Sequence, residues 1–329
     1  MRTPTTGHAS STHSAWITWA VRFIAVAGVM VVAWACVTGW GAVVHGHPLY
    51  VGLLALTLLV CAVAFGRTFR RRKSTPPWRR IIRVVFIVLA VGWIALMAWL
   101  RPFSALEPAL AAMASTNTVT VTEDLTQIVM TPVGPARRAG VFFQPGAKVD
   151  ARAYAAVLRP LAESGYTVVI TKQPLGIAFL SITALDAAKP NFPTISRWIV
   201  GGHSLGGTVA AIEADAGGGD PEAPVVGLLL YASYPASDIS ASLSAEVLSI
   251  SASADGLATP DTITASRETL PASTSFTVID GAVHAFFGDY GPQPGDGTPT
   301  VSHDKARTEI SRQSVAFLNS LSDTKEKQQ

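Results

Sequence analysis

No aspartate or glutamate occurs before Glu107, so all 22 acidic residues of this 329-residue chain lie beyond its first hundred positions. Cysteine is nearly absent too: Cys36 and Cys61 both sit in apolar runs and none follows, which excludes a disulfide from the rest of the chain. With two cysteines so placed, cysteine usage says little about redox compartment. Charged residues make up only 14% against 49% apolar ones, too few for an ordinary soluble protein over the whole length. No internal repeat is visible, and no basic face interleaved with aromatics, so nucleic acid is not an expected partner. The formal charge of +3 is the sum of two unlike parts. The first hundred residues carry ten of the 25 basic residues and no acidic one, and the remainder is acidic overall.

What the first part does have is three long apolar runs, at 23–44, 49–66 and 84–100. Each can reach across a hydrocarbon core about 30 Å thick at roughly 1.5 Å per helical residue. Residues 67–83, between the second and third runs, hold eight positive charges and no negative one. The positive-inside rule therefore makes this loop and residues 1–22 cytoplasmic, and places everything after Leu100 on the extracytoplasmic side. The lipid bilayer is an expected partner, and the cell membrane the expected location of a multi-pass chain. A cleavable signal ending at Ala33-Trp34-Ala35 is the competing reading, but the apolar run continues past that point. The basic loop reads as a solvated turn rather than a lipid head-group site. The spans contain no acidic residue and almost no polar one, which argues against a charge-transport pathway.

Residues 101–116, rich in alanine with Pro102 and Pro108, read as a connector, and 322–329 as a polar, disordered tail. Between them, over 117–321, short apolar runs alternate with helical periodicity. The patterns predict strands near 117–122, 127–130, 140–143, 167–170, 197–201, 225–230, 246–250 and 275–279. They predict helices over 150–164, 177–188, the stretch after residue 204, and 302–321. This is an α/β pattern: a mostly parallel sheet covered on both faces, with sites gathered at the carboxyl ends of the strands.

The chemistry centres on Gly202-His203-Ser204-Leu205-Gly206-Gly207, which directly follows a strand-like run and opens a helix-like one. That is the context of a nucleophile elbow, whose flanking glycines remove a Cβ from a turn too tight to hold one. A serine is a weak nucleophile and needs a base, which a third group orients. Beyond the spans the only histidines are His203, His284 and His303. His203 is adjacent to the serine and reads as packing, and His303 as a solvated or capping residue. His284, just beyond the last strand, is the candidate base. The acid is expected between serine and histidine in chain order. Asp255, after the 246–250 strand, is the first choice and Asp238 the second, while Asp280 reads as a turn residue. An oxyanion hole needs two backbone donors. Leu205 supplies one, and the loop after the 140–143 strand the other, with Ala147 preferred and Gly146 second, since Pro145 has no N–H. No cofactor or metal is expected. The acidic positions at 289–296 lack the regular ligand spacing of a calcium loop.

Four segments in order resemble a known family: Phe143 to Asp150 with Ala153-Tyr154, Arg197 to Gly207, Ser253 to Ala258, and His284 to Gly291. Over roughly 200 residues the chain is similar to the α/β-hydrolase superfamily, in its dienelactone-hydrolase-like branch often called α/β-hydrolase fold-5. The resemblance, which does not cover the three transmembrane helices read from the apolar runs, implies an α/β-hydrolase fold and carboxylic-ester hydrolysis with Ser204, Asp255 and His284 as triad. Gln144 departs from the pattern, where an aromatic residue is expected. About 15 residues separate the 225–230 and 246–250 strands, where larger relatives insert a cap, so the site is expected to be open to a small or surface-presented ester. Two other functions stay beside this one: acyl transfer to an alcohol by the same triad, and a non-catalytic hydrolase-fold module that binds an envelope ligand.

Overall fold

A computed structural model of the chain describes residues 9–70, 76 and 78–326. Residues 71–75 and 77 of the basic loop, 1–8 of the cytoplasmic segment and the last three residues of the expected tail lie outside the described residues. The chain divides into two units, 1–44 with 48–101, and 45–47 with 102–329.

The first unit is made of α1 (Ala9–His45), α2 (Pro48–Arg67) and α3 (Trp78–Trp99). Within them Trp16–His45, Pro48–Arg67 and Ile81–Trp99 are long and apolar enough to cross a membrane. α1 starts well before residue 23, because no proline or glycine interrupts residues 9–22. It bends at Gly39, whose backbone leaves the helical region. Polar groups on these helices find partners: Trp93 Nε1 donates to Thr57 Oγ1 at 2.9 Å and Tyr50 Oη to the Met97 carbonyl at 3.0 Å. Large apolar side chains, Phe23, Val37 and Phe86 among them, stand exposed.

The second unit is built on eight strands: β1 (Val119–Glu123), β2 (Gln127–Pro132), β3 (Ala139–Gln144), β4 (Thr167–Thr171), β5 (Arg197–His203), β6 (Val225–Tyr231), β7 (Glu246–Ala252) and β8 (Ser275–Ile279). They form one sheet in the order β1-β2-β4-β3-β5-β6-β7-β8. β2 pairs antiparallel with β1 and β4, and every later pairing is parallel. The helices are α4 (Ala109–Ala112), α5 (Ala155–Glu163), α6 (Ala184–Ala188), α7 (Leu205–Gly217), α8 (Pro260–Ala265) and α9 (His303–Glu326).

Side chains alternate across the sheet and fill two cores. Val141, Phe143, Val168, Ile170, Leu229 and Tyr231 face one core, with Leu158 and Leu161 of α5 and Ile310 and Leu318 of α9. Phe142, Val169, Trp198, Val200, Leu228 and Leu230 face the other, with Ala210, Ala211 and Ala214 of α7. This is the α/β sandwich that the alternating pattern predicts.

Three local expectations are corrected. The helix over 150–164 begins as a 3-10 turn, Ala151–Tyr154, whose Ala153 and Ala155 amides bond to the carbonyls three residues back, Asp150 and Arg152, while Asp150 caps the Arg152 amide at 3.0 Å. The helix over 177–188 is broken into the turn Ala178–Ser181 and α6. A continuous helix would bond the Leu185 amide to the Ser181 carbonyl. Here that carbonyl accepts from Gln144 Nε2 at 3.2 Å, and the amide donates to Glu213 Oε1 at 3.3 Å. Finally, α9 runs on past Leu321 to Glu326, into the stretch expected to be a tail.

The same contacts explain Gln144, whose amide bridges from β3 to the buried Glu213 carboxyl at 3.1 Å. Burial pushes the Glu213 pKa up from 4.5 to about 8, against the hydrogen bonds from Gln144 and the Leu185 amide. A folded-state pKa above the unfolded one means that the unfolded chain ionises first as pH rises. Stability from this group is therefore full below 4.5 and declines between 4.5 and about 8. Glu213→Gln is expected to gain stability relative to wild type as pH is raised through that window. Denaturant midpoints at its two ends test this, and a pH-independent difference would refute it.

Candidate active site

β5 runs into the elbow. Ser204 has φ 52° and ψ −125°, a region that L-residues avoid, and α7 starts at the next residue. Hydrogen bonds hold this conformation: the Ser204 amide donates to the Tyr231 carbonyl at 3.0 Å. Its own carbonyl accepts from the Gly207 amide at 2.9 Å and Ser233 Oγ at 2.6 Å. The glycine two residues on is required by space, since a Cβ on Gly206 would lie 2.1 Å from the Gln144 carbonyl oxygen.

Asp255 follows β7 and His284 follows β8, and the sheet brings them together. Asp255 Oδ2 lies 2.9 Å from His284 Nδ1, with both side chains buried. Asp255 Oδ1 accepts from the amides of Leu257 and Ala258, each at 2.8 Å. A carboxylate only accepts, so Nδ1 carries the proton, and it is the tautomer with Nε2 bare that can act as a base. That Nε2 is buried and carries no hydrogen bond, to Ser204 Oγ or to any other described residue. The His284 ring nonetheless stands beside the elbow, 4.6 Å centroid to centroid from the ring of His203.

The other candidates are placed differently. Asp238 is exposed and caps the Ser240 amide at 2.9 Å, and among the described residues the acid–histidine pair next to the elbow is made by Asp255 instead. Asp280 accepts from Ser253 Oγ at 3.0 Å, as a turn residue does. His303 is neither simply solvated nor a cap: its ring stacks on Phe286 at 4.5 Å and its Nε2 lies 3.4 Å from Asp289. Of the two amides weighed for the loop after β3, that of Gly146 is taken, donating to Tyr154 Oη at 2.8 Å. Those of Ala147 and Leu205 carry no such bond among the described residues.

One residue escapes sequence reasoning altogether. Asp296 Oδ1 accepts from the amides of His284 at 3.1 Å and Gly256 at 3.2 Å, and its Oδ2 accepts from Ala285 at 2.8 Å. A single carboxylate thus ties the loop of the acid to the loop of the imidazole. Its local signal, Asp296-Gly297 in a proline- and glycine-rich loop, marks a turn and does not reveal partners 11 to 40 residues away.

A mostly parallel sheet with a serine on a strand-to-helix elbow, and an acid–imidazole pair beyond later strands, defines an α/β-hydrolase fold. Residues 140–308, just over half of the chain, match the model of the alpha/beta hydrolase family, and the chain belongs to that family. No curated protein matches it. Similar solved structures include a hydrolase described as CIB-like from Thermoplasma acidophilum, at 14% identity and TM-score 0.47, covering 61% of this chain and 98% of that one. A hyperthermophilic esterase from Pyrobaculum calidifontis stands at 16% and 0.47, covering 65% and 89%. A fungal esterase from Rhizomucor miehei stands at 13% and 0.48, covering 68% and 88%.

Proposed function

We propose that this chain is a membrane-anchored serine hydrolase that cleaves carboxylic esters through an acyl-enzyme. The observation that carries the reading is the buried Asp255–His284 pair beside the elbow, its Nε2 edge unengaged. In this reading Ser204 Oγ turns onto His284 Nε2 when substrate binds, a contact often long before that. His284 then takes the hydroxyl proton as Oγ attacks the ester carbonyl. The oxyanion is met by the amides of Leu205 and Ala147, and collapse expels the alcohol with the proton from His284. Water repeats the sequence and releases the acid. Only residues 232–245 join β6 to β7, which favours an open site and a small or surface-presented ester.

The three apolar helices support anchoring, and the positive charge of 67–83 supports a hydrolase unit on the extracytoplasmic side. The test is a membrane-impermeant fluorophosphonate applied to intact cells that express the chain. It should label wild type and not Ser204→Ala. Labelling only after permeabilisation would overturn the sidedness, and none in solubilised wild type would overturn the enzyme.

Asp296 is a positioning residue in this scheme. Asp296→Ala is expected to lower kcat roughly tenfold to a hundredfold with KM little changed, because a misaimed imidazole affects the chemical step more than binding. Steady-state kinetics on a short-chain aryl ester would show it, and a change confined to KM would count against it.

A further inference from the structure

The residue before the nucleophile does more than pack. Tyr154, at the end of the turn leading into α5, is fully buried, and its Oη stands 2.8 Å from both the Gly146 amide and His203 Nδ1. The Gly146 N–H can only donate, so the phenol's single proton goes to the remaining acceptor, His203 Nδ1. His203 is therefore neutral with its proton on Nε2. Burial first, and the charge of His284 next, hold its pKa well below the ordinary value against a hydrogen bond with the His284 backbone that raises it, so it stays an acceptor. On the other side of Gly146, its carbonyl accepts from the Val149 amide at 3.1 Å. The next peptide, which carries the Ala147 N–H, is planar, so pinning the Gly146 carbonyl fixes the opposite direction of that N–H. Space is closed as well: a Cβ on Gly146 would lie 2.7 Å from His203 Nδ1 and 3.0 Å from Tyr154 Oη.

We infer that Tyr154 and His203 are a positioning pair, running from the elbow to the loop after β3, that aims the Ala147 amide at the oxyanion of the tetrahedral intermediate. The inference rests on the ester-hydrolase reading above. It assigns His203 a role in transition-state stabilisation without contact with substrate. The ring of Tyr154 also packs against Phe143, at 5.0 Å between centroids, so Tyr154→Phe keeps the core and removes only the relay.

The experiment is Tyr154→Phe in the full chain, assayed on a short-chain aryl ester and titrated with an alkyl boronic acid, which forms a tetrahedral adduct with an active serine. The expected result is a kcat lower by roughly tenfold to a hundredfold with KM within about twofold, and boronate affinity lower by a similar factor. A purely structural role would not move the two together. A kcat unchanged within about twofold, or a fall in kcat with full boronate affinity, would overturn the inference. Should Tyr154→Phe not accumulate as folded protein, His203→Gln, which still offers an acceptor, is compared with His203→Leu, which does not. Greater activity in the glutamine variant supports the relay, and equal activity overturns it. A wild type that hydrolyses no ester and takes no fluorophosphonate overturns the hydrolase reading and this inference with it. An active wild type with an equally active Tyr154→Phe overturns this inference alone.

Discussion

Ser204→Ala is expected to lower ester turnover by a factor on the order of 10⁴ to 10⁶ while leaving the fold intact. The two halves of that expectation come from different atoms. Nothing else at the elbow offers a nucleophile: His203 is turned to Tyr154, and Ser233 Oγ is committed to the Ser204 carbonyl at 2.6 Å. Fold retention comes from the backbone of Ser204, whose amide and carbonyl make the hydrogen bonds that hold φ at 52°, whereas its Oγ makes none among the described residues. Alanine keeps all of those backbone bonds. On the proposed scheme a residual rate above water is expected, because the amides of Leu205 and Ala147 assigned there to the oxyanion are untouched. Parallel measurement of kcat and of thermal unfolding separates the two. A variant that melts like wild type and keeps activity within about tenfold would remove Ser204 from the nucleophile's role.

Much of this site is legible in the chain because its logic is local. Gly202, Ser204 and Gly206 lie within five residues, and the strand before them and helix after them are set by short-range pattern, so the elbow can be read without knowing the sheet. His284 is legible by position alone, just beyond the last apolar run. The choice between Asp255 and Asp238 is harder. Both follow strands, and only the parallel pairing of β7 with β8 brings the carboxylate after β7 next to the loop after β8. Asp296 is not legible at all, and Tyr154 only as part of a segment that resembles the family, not for what it bonds. Each acts on backbone amides from other segments, and a carboxylate or phenol gives no sign in sequence of which amide it will meet. The broken helix over 177–188 fails for the same reason. Its periodicity is helical, but Gln144 and Glu213 supply tertiary partners to a carbonyl and an amide that would otherwise bond each other. Gln144, which looks like a departure from a family pattern, is the centre of that buried polar contact.

Asp255→Asn is expected to cost a factor of about 10⁴ in kcat, almost as much as losing the serine, although it changes one atom and almost no volume. Asp255 Oδ1 is fixed by two amide donors, Leu257 and Ala258, each at 2.8 Å. An asparagine must keep its oxygen at that position, because placing its NH₂ there would set donor against two donors. Its NH₂ then occupies the Oδ2 position, 2.9 Å from His284 Nδ1. Facing a donor, Nδ1 has to become the acceptor, and the neutral imidazole moves its proton to Nε2. A ring so protonated cannot take the Ser204 proton, however well it is placed. The geometry survives and the tautomer is wrong. Thermal unfolding close to wild type distinguishes this from simple disorder. A variant active within about tenfold at neutral pH would mean that Asp255 does not orient the base and that the pair seen beside the elbow has another purpose.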